Sequence, residues 1–154
     1  MLNFINKLIS NILILMMILL TFCVIWQVIS RYILSAPSTI TEELSRFLMI
    51  WICLLGASYA VGQKRHLSID LLNSFISDIN QSRLQFIINI IILIFSLLLT
   101  WGGIFLVRNV LLSEQVSPAL RIPMGYIYII LPASSILIVY YIIIDIYKGF
   151  LYGK

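Results

Sequence analysis

The chain has 154 residues, of which 62% are hydrophobic and 10% charged, with a net charge of +4 and a mean hydropathy of +1.09. A soluble domain carries about a quarter charged residues, so the composition excludes that class and points to a membrane protein. The basic residues are scattered rather than gathered on one face, which argues against nucleic acid as a partner.

Four stretches contain no Asp, Glu, Lys or Arg: 8–30, 47–63, 84–107 and 122–144. At about 1.5 Å rise per residue, the first, third and fourth exceed a hydrocarbon core of roughly 30 Å. The second reaches full length only by borrowing the turn that carries Glu42, Glu43 and Arg46. The expectation is an all-α integral membrane protein, one domain over 1–154 with transmembrane helices at about 8–32, 41–63, 84–107 and 122–146.

The first apolar run is too long for a signal-peptide core, and Ser35-Ala36-Pro37 is a poor cleavage site, so a retained signal anchor is expected. Pro37 disfavours helix at Ala36 and ends that span. Thr39 followed by Glu42 fits a capping box at the start of span two. Glu42 and Arg46 lie four apart and Glu43 and Arg46 three apart, so either acid can reach the guanidinium. Adjacent side chains diverge by about 100°, so one glutamate can pair locally while its neighbour faces another element. Two readings stand side by side: a capped, charge-paired helix start, and an intersubunit contact, since charge kept near hydrocarbon is usually functional.

Small residues recur at helical spacing, with Gly56 and Ala60, and Ser58 and Gly62, in span two, and Ser96 and Gly103 further apart in span three. Such positions let helices approach closely. Trp51 and Trp101 sit deep in their spans, with bundle packing as the default for both and lipid or partner contact as the alternative. Cys23 and Cys53 read as small packing residues. The second connection carries Leu71, Leu72, Phe75, Ile76 and Ile79 on one face and Asp70, Asn73, Ser74, Ser77 and Asp78 on the other. That pattern predicts a short amphipathic interfacial helix at about 68–80, with Ser68 as its N-cap and Asp70 in its first turn; the alternative is that its apolar face packs on a partner subunit.

Pro123 suits the first turn of span four and Pro132 predicts a kink within it. Tyr126, Tyr128, Tyr140, Tyr141, Tyr147 and Tyr152 gather toward the two ends of that span, as interfacial anchors do. With an even number of spans both termini share a side. That side carries Lys7, Lys64, Arg65, Arg83, Lys148 and Lys154, against Arg31, Arg46, Arg108 and Arg121 opposite, which favours cytoplasmic termini.

The sequence offers no nucleophile–base pair, no metal-ligand cluster and no histidine within a span, and no acid deeper in a span continues a path from Glu42 and Glu43. No catalytic residue, metal or cofactor is expected, and a substrate site on this chain alone is not. A self-sufficient proton-coupled exporter of four helices and a redox membrane anchor are the alternatives, both weak.

The stretch Ile29-Ser-Arg31-Tyr-Ile, Thr41-Glu42-Glu43-Leu-Ser-Arg46-Phe, Trp51, Leu55-Gly56-Ala57 and His66-Leu-Ser-Ile-Asp70-Leu-Leu resembles the small, DctQ-like membrane subunit of tripartite ATP-independent periplasmic (TRAP) transporters. Pro118-Ala-Leu-Arg-Ile-Pro123-Met-Gly-Tyr and Leu131-Pro132 look like that family's second marker. Arg121 stands where the family often has glycine. The resemblance implies a bacterial inner-membrane subunit that scaffolds a large permease subunit. In such systems sodium drives import of an organic anion, such as a C4-dicarboxylate, a sugar acid or sialic acid, delivered by a periplasmic binding protein. Besides these two proteins, membrane lipids are expected partners. Carried over residue by residue, Arg31, Glu42, Glu43, Arg46, Trp51, Gly56, Asp70, Pro118 and Pro123 are the candidates for assembly and interface shaping.

Overall fold

The computed structural model describes residues 2–63 and 78–152, all helix and turn apart from one isolated bridge. Helix α1 spans Leu2–Tyr32 and α2 Thr39–Gly62. Helix α3 spans Asp78–Leu112, short α4 Met124–Tyr128, and α5 Ile130–Tyr152. Four helical stretches are long and apolar enough to cross a membrane: Phe4–Tyr32, Thr39–Gly62, Leu84–Leu112 and Met124–Tyr147. The all-α membrane architecture with four spans is therefore as expected. Most of the segment expected to form the interfacial helix, Asp70 included, lies outside the described residues.

The helices stand in a row, with α1 and α2 antiparallel, α5 and α3 antiparallel, and the central pair α2 and α5 running in the same direction. Helix α1 packs on α2, α2 on α5, and α5 on α3, with α4 resting against α3. Helices α1 and α3 thus form the two edges, and the fourth span is the most enclosed of the four. Large apolar side chains point outward along every span, as lipid requires, while the interior holds Ser30, Ser45, Ser58, Ser96, Ser117, Ser134 and Ser135. In lipid, helix association depends on close van der Waals approach, which small residues permit. Most of these hydroxyls are satisfied within their own helix, as where Ser58 donates to the Leu55 carbonyl at 2.8 Å and Ser96 to that of Leu93 at 2.9 Å. Between α3 and α5, Thr100 also donates to Ser135 at 2.8 Å.

The expected small-residue pairs divide. A Cβ on Gly62 would lie 2.7 Å from the Tyr141 ring, and one on Gly103 would lie 2.6 Å from Leu131 and 3.0 Å from Pro132. Gly62 and Gly103 are therefore demanded by the chain's own packing. Around Gly56 the same construction meets nothing within 4 Å.

Several expectations need correction. Thr39 is the first residue of α2, Ser38 is its N-cap, and no side chain caps the helix, so the capping box does not form. Pro123 precedes α4 as its N-cap instead of entering the first turn. Pro132 falls in the first turn of α5, where proline is tolerated, just past the junction with α4. There Ile129 keeps right-handed helical geometry, and the bonds from Ile129 N–H to Gly125 and from Ala133 N–H to Ile129 carry the span across. Tyr141 is buried, donating to Asn6 at 2.6 Å, and is no interfacial anchor. Cys23 is buried, but Cys53 is exposed. Trp101 is 80% exposed on the outside of the bundle, so the default of bundle packing fails there and the alternative of an outward-facing ring holds.

Candidate functional site

Helix α2 begins at the end of the bundle formed by the two loops 33–38 and 113–123, so its first turns stand beside both. Each loop leaves its helix through a residue in the left-handed region, Ser35 at φ 51° after α1 and Glu114 at φ 49° after α3. Glycine is the usual residue at such stops, because a side chain there meets the carbonyl. In the first loop the Ser30 hydroxyl bonds the Ala36 carbonyl. The second loop folds back on itself, with Ser117 N–H donating to the Ile122 carbonyl at 2.9 Å and Met124 N–H to that of Gln115 at 2.8 Å. Its turn passes through Arg121 at φ 54°. That geometry gives a physical reason for glycine at the position and marks Arg121 as strained.

The two glutamates part company across one peptide bond. Glu42 stays exposed and meets Arg46 at 3.5 Å, an i,i+4 pair in which the side chains are 62% and 64% exposed. Glu43 is buried and reaches the second loop, where its Oε2 accepts the Ala119 N–H at 2.8 Å and the Leu120 N–H at 2.9 Å. The buried Ser117 hydroxyl stands nearby without completing a hydrogen bond of ordinary geometry. Glu43 thus fastens the start of span two to the segment after Pro118.

One further clamp lies deeper. The Trp51 indole N–H donates to the Ile127 carbonyl at 3.1 Å, beside the junction between α4 and α5. Proline at 132 has no N–H to offer the Tyr128 carbonyl four residues earlier, and the Trp51 bond goes to the neighbouring carbonyl of Ile127. Trp51 also lines an apolar cleft of about 230 Å³ between α1, α2 and α4, with Met16, Phe47 and Tyr126 among its other walls.

Of the nine candidates, the structure joins Glu43 to the loop following Pro118, and Trp51 to the helix following Pro123. The side chains of Glu42 and Arg46 hydrogen-bond each other, and the Arg46 charge also acts on Glu43. Arg31 is exposed in the last turn of α1, and Gly56 faces open space.

Four polar contacts rest on three residues that a search for charges passes over, Gln27, Gln85 and Asn89. Gln27 on α1 donates to the Thr41 carbonyl at 2.9 Å and to Ser45 at 2.6 Å, joining the first two spans. Asn89 is buried on α3; it accepts from Gln85 at 3.1 Å and donates to Asp145 Oδ2 on α5 at 3.2 Å. Asp145 lies inside the fourth candidate span, correcting the expectation that no further acid does. The signal for all three was an amide residue in an apolar run, where an unsatisfied polar group is costly.

Four helices long and apolar enough to cross a membrane, with their polar groups engaged inside the chain, define a multi-pass membrane protein. The DctQ component model of the tripartite ATP-independent periplasmic transporters matches residues 6–151. The chain belongs to that family, as the small permease subunit. It is 30% identical over 136 residues to a provisionally named TRAP transporter small permease protein of Haemophilus influenzae, covering 88% of this chain and 83% of the relative. It is 27% identical over 124 residues to the isethionate TRAP transporter permease protein DctMQ of Oleidesulfovibrio alaskensis, covering 77% of this chain but 20% of that protein. Over 53 residues it is 38% identical to the sialic acid TRAP transporter small permease protein SiaQ of Vibrio cholerae, covering 34% and 28% of the two chains.

Proposed function

We propose that this subunit is the stationary frame of a sodium-driven importer of an organic anion. It braces a separate large permease subunit, while a periplasmic binding protein supplies the cargo. C4-dicarboxylates, sugar acids and sialic acid are the substrate classes in view. The chain sits in the bacterial inner membrane with both termini cytoplasmic. The observation that carries this reading is the family match across residues 6–151. The DctMQ relative supports it, because a region similar to this chain there forms 20% of one larger permease polypeptide. The local geometry agrees with a frame: Glu43 and Trp51 hold the chain's own loop and helix junction.

Arg31, Glu42, Glu43, Arg46, Trp51, Gly56, Asp70, Pro118 and Pro123 are proposed to act in assembly, none of them touching cargo. Glu42→Ala combined with Glu43→Ala is expected to weaken uptake and recovery of the complex while membrane insertion persists. The decisive measurement is sodium-driven uptake in vesicles of defined content. Large subunit, small subunit and binding protein together should accumulate labelled carboxylate, and the small subunit alone should be inert. Accumulation by the small subunit alone would overturn the reading.

A further inference from the structure

Between Thr41 and Gly62 the exposed residues of α2 are Glu42, Arg46, Met49, Cys53 and Ala57. Their spacing of four, three, four and four draws one stripe along a single side of the helix. The neighbouring sides are occupied. Ser45 meets Gln27 of α1, Glu43 meets the second loop, Trp51 meets α4, and Gly62 packs on Tyr141 of α5.

Two independent features together make this stripe unlike a lipid-facing one. First, it carries an ion pair whose one contact, at 3.5 Å, leaves most of the five guanidinium donors and most of the carboxylate lone pairs unfilled. Charge on the flank of a membrane span faces protein far more readily than hydrocarbon. Second, Gly56 borders the stripe beside Cys53 and Ala57, and the chain's own packing gives no reason for its missing side chain. A lipid tail needs no such gap, whereas a helix approaching closely does. The outer side of α3 is more uniformly apolar, with Phe95, Leu98, Trp101 and Phe105 exposed. Gly102 on that side stands in open space as Gly56 does, so what sets the α2 stripe apart is that it also carries the ion pair.

We propose that the Glu42–Arg46–Met49–Cys53–Ala57 stripe is the surface on which a transmembrane helix of the large permease subunit docks. Charge complementarity defines the occupant: a helix presenting a basic side chain to Glu42 and an acidic one to Arg46, about one turn apart, with its lower half pressed against Gly56. This inference rests on the functional reading above.

The test uses the complex of this chain with an affinity-tagged large subunit. A photo-crosslinking benzoylphenylalanine replaces Met49 or Cys53, and, as controls, Ile18 on α1 or Leu98 on α3. Crosslinks to the large subunit at 49 and 53, about tenfold above both controls, are expected. Gly56→Leu should reduce recovery with the large subunit about tenfold without changing the chain's own thermal stability, while Gly102→Leu, also in open space on α3, should not. Failure of the wild-type chain to co-purify would sink the functional reading and this inference with it. Co-purification with crosslinks no stronger at 49 and 53 than at the controls, or joining two copies of this chain, would overturn the docking surface alone.

Discussion

Helix α2 has two sides that differ in kind although they alternate along the same sequence. On the inner side Glu43, Trp51, Ser58 and Gly62 each have a specific intramolecular reason to be what they are. On the outer side Glu42, Arg46 and Gly56 have none beyond one exposed ion pair and the pull of the Arg46 charge on Glu43. Similar residue types therefore carry different information. An inward glutamate reports on the fold and an outward one on what lies beyond it, and only burial and partner geometry distinguish them.

Substitutions can sharpen or break this contrast. The largest effect on the isolated subunit is expected for Gly103→Val, which must displace Leu131 and the backbone at Pro132 and should cost roughly 1–3 kcal/mol by overpacking. Thermal unfolding in detergent reads it, and Gly56→Val measured alongside should be far milder. Glu43→Ala comes next. It strips two loop amides of their acceptor, so hydrogen exchange at Ala119 and Leu120 should accelerate on the order of tenfold, with no such change in Glu42→Ala. Trp51→Phe keeps most of the ring and removes the donor to Ile127, for a loss of about 1 kcal/mol in the same unfolding assay. Arg121→Gly should move stability the other way, gaining roughly 0.5 kcal/mol as relief of the left-handed strain outweighs the freedom glycine adds. Glu42→Ala should be the smallest, about 0.3 kcal/mol on the isolated subunit, as for exposed helix pairs. A large loss there would erase the distinction between the two sides.

The four spans were legible because hydrocarbon tolerates so few charges that the gaps between them mark the helices. The divergence of Glu42 and Glu43 was legible too, since adjacent helical residues point in different directions. Their separate destinations were not. Nothing local in the sequence says that Glu43 would find backbone amides 76 and 77 residues away. Trp51 and Trp101 look alike as sequence, yet one meets a carbonyl at a helix junction and the other stands at an edge of the row. Asn89 and Gln27 were hidden for a different reason: uncharged amides leave the count of charges unchanged while still demanding partners in lipid. The capping box failed by one residue, because α2 starts early enough to put Thr39 inside the helix.

Glu43 recognises Ala119 and Leu120 through their main chain and makes no demand on the identity of either residue. For these two bonds any amino acid except proline, which has no N–H to give, would serve, while the Leu120 side chain answers separately to the apolar cleft it lines. A stretch grafted from a distant homologue would seat itself on Glu43 provided its backbone followed the same path. Glu43 therefore holds the path of this rim and leaves the choice of its side chains to other contacts.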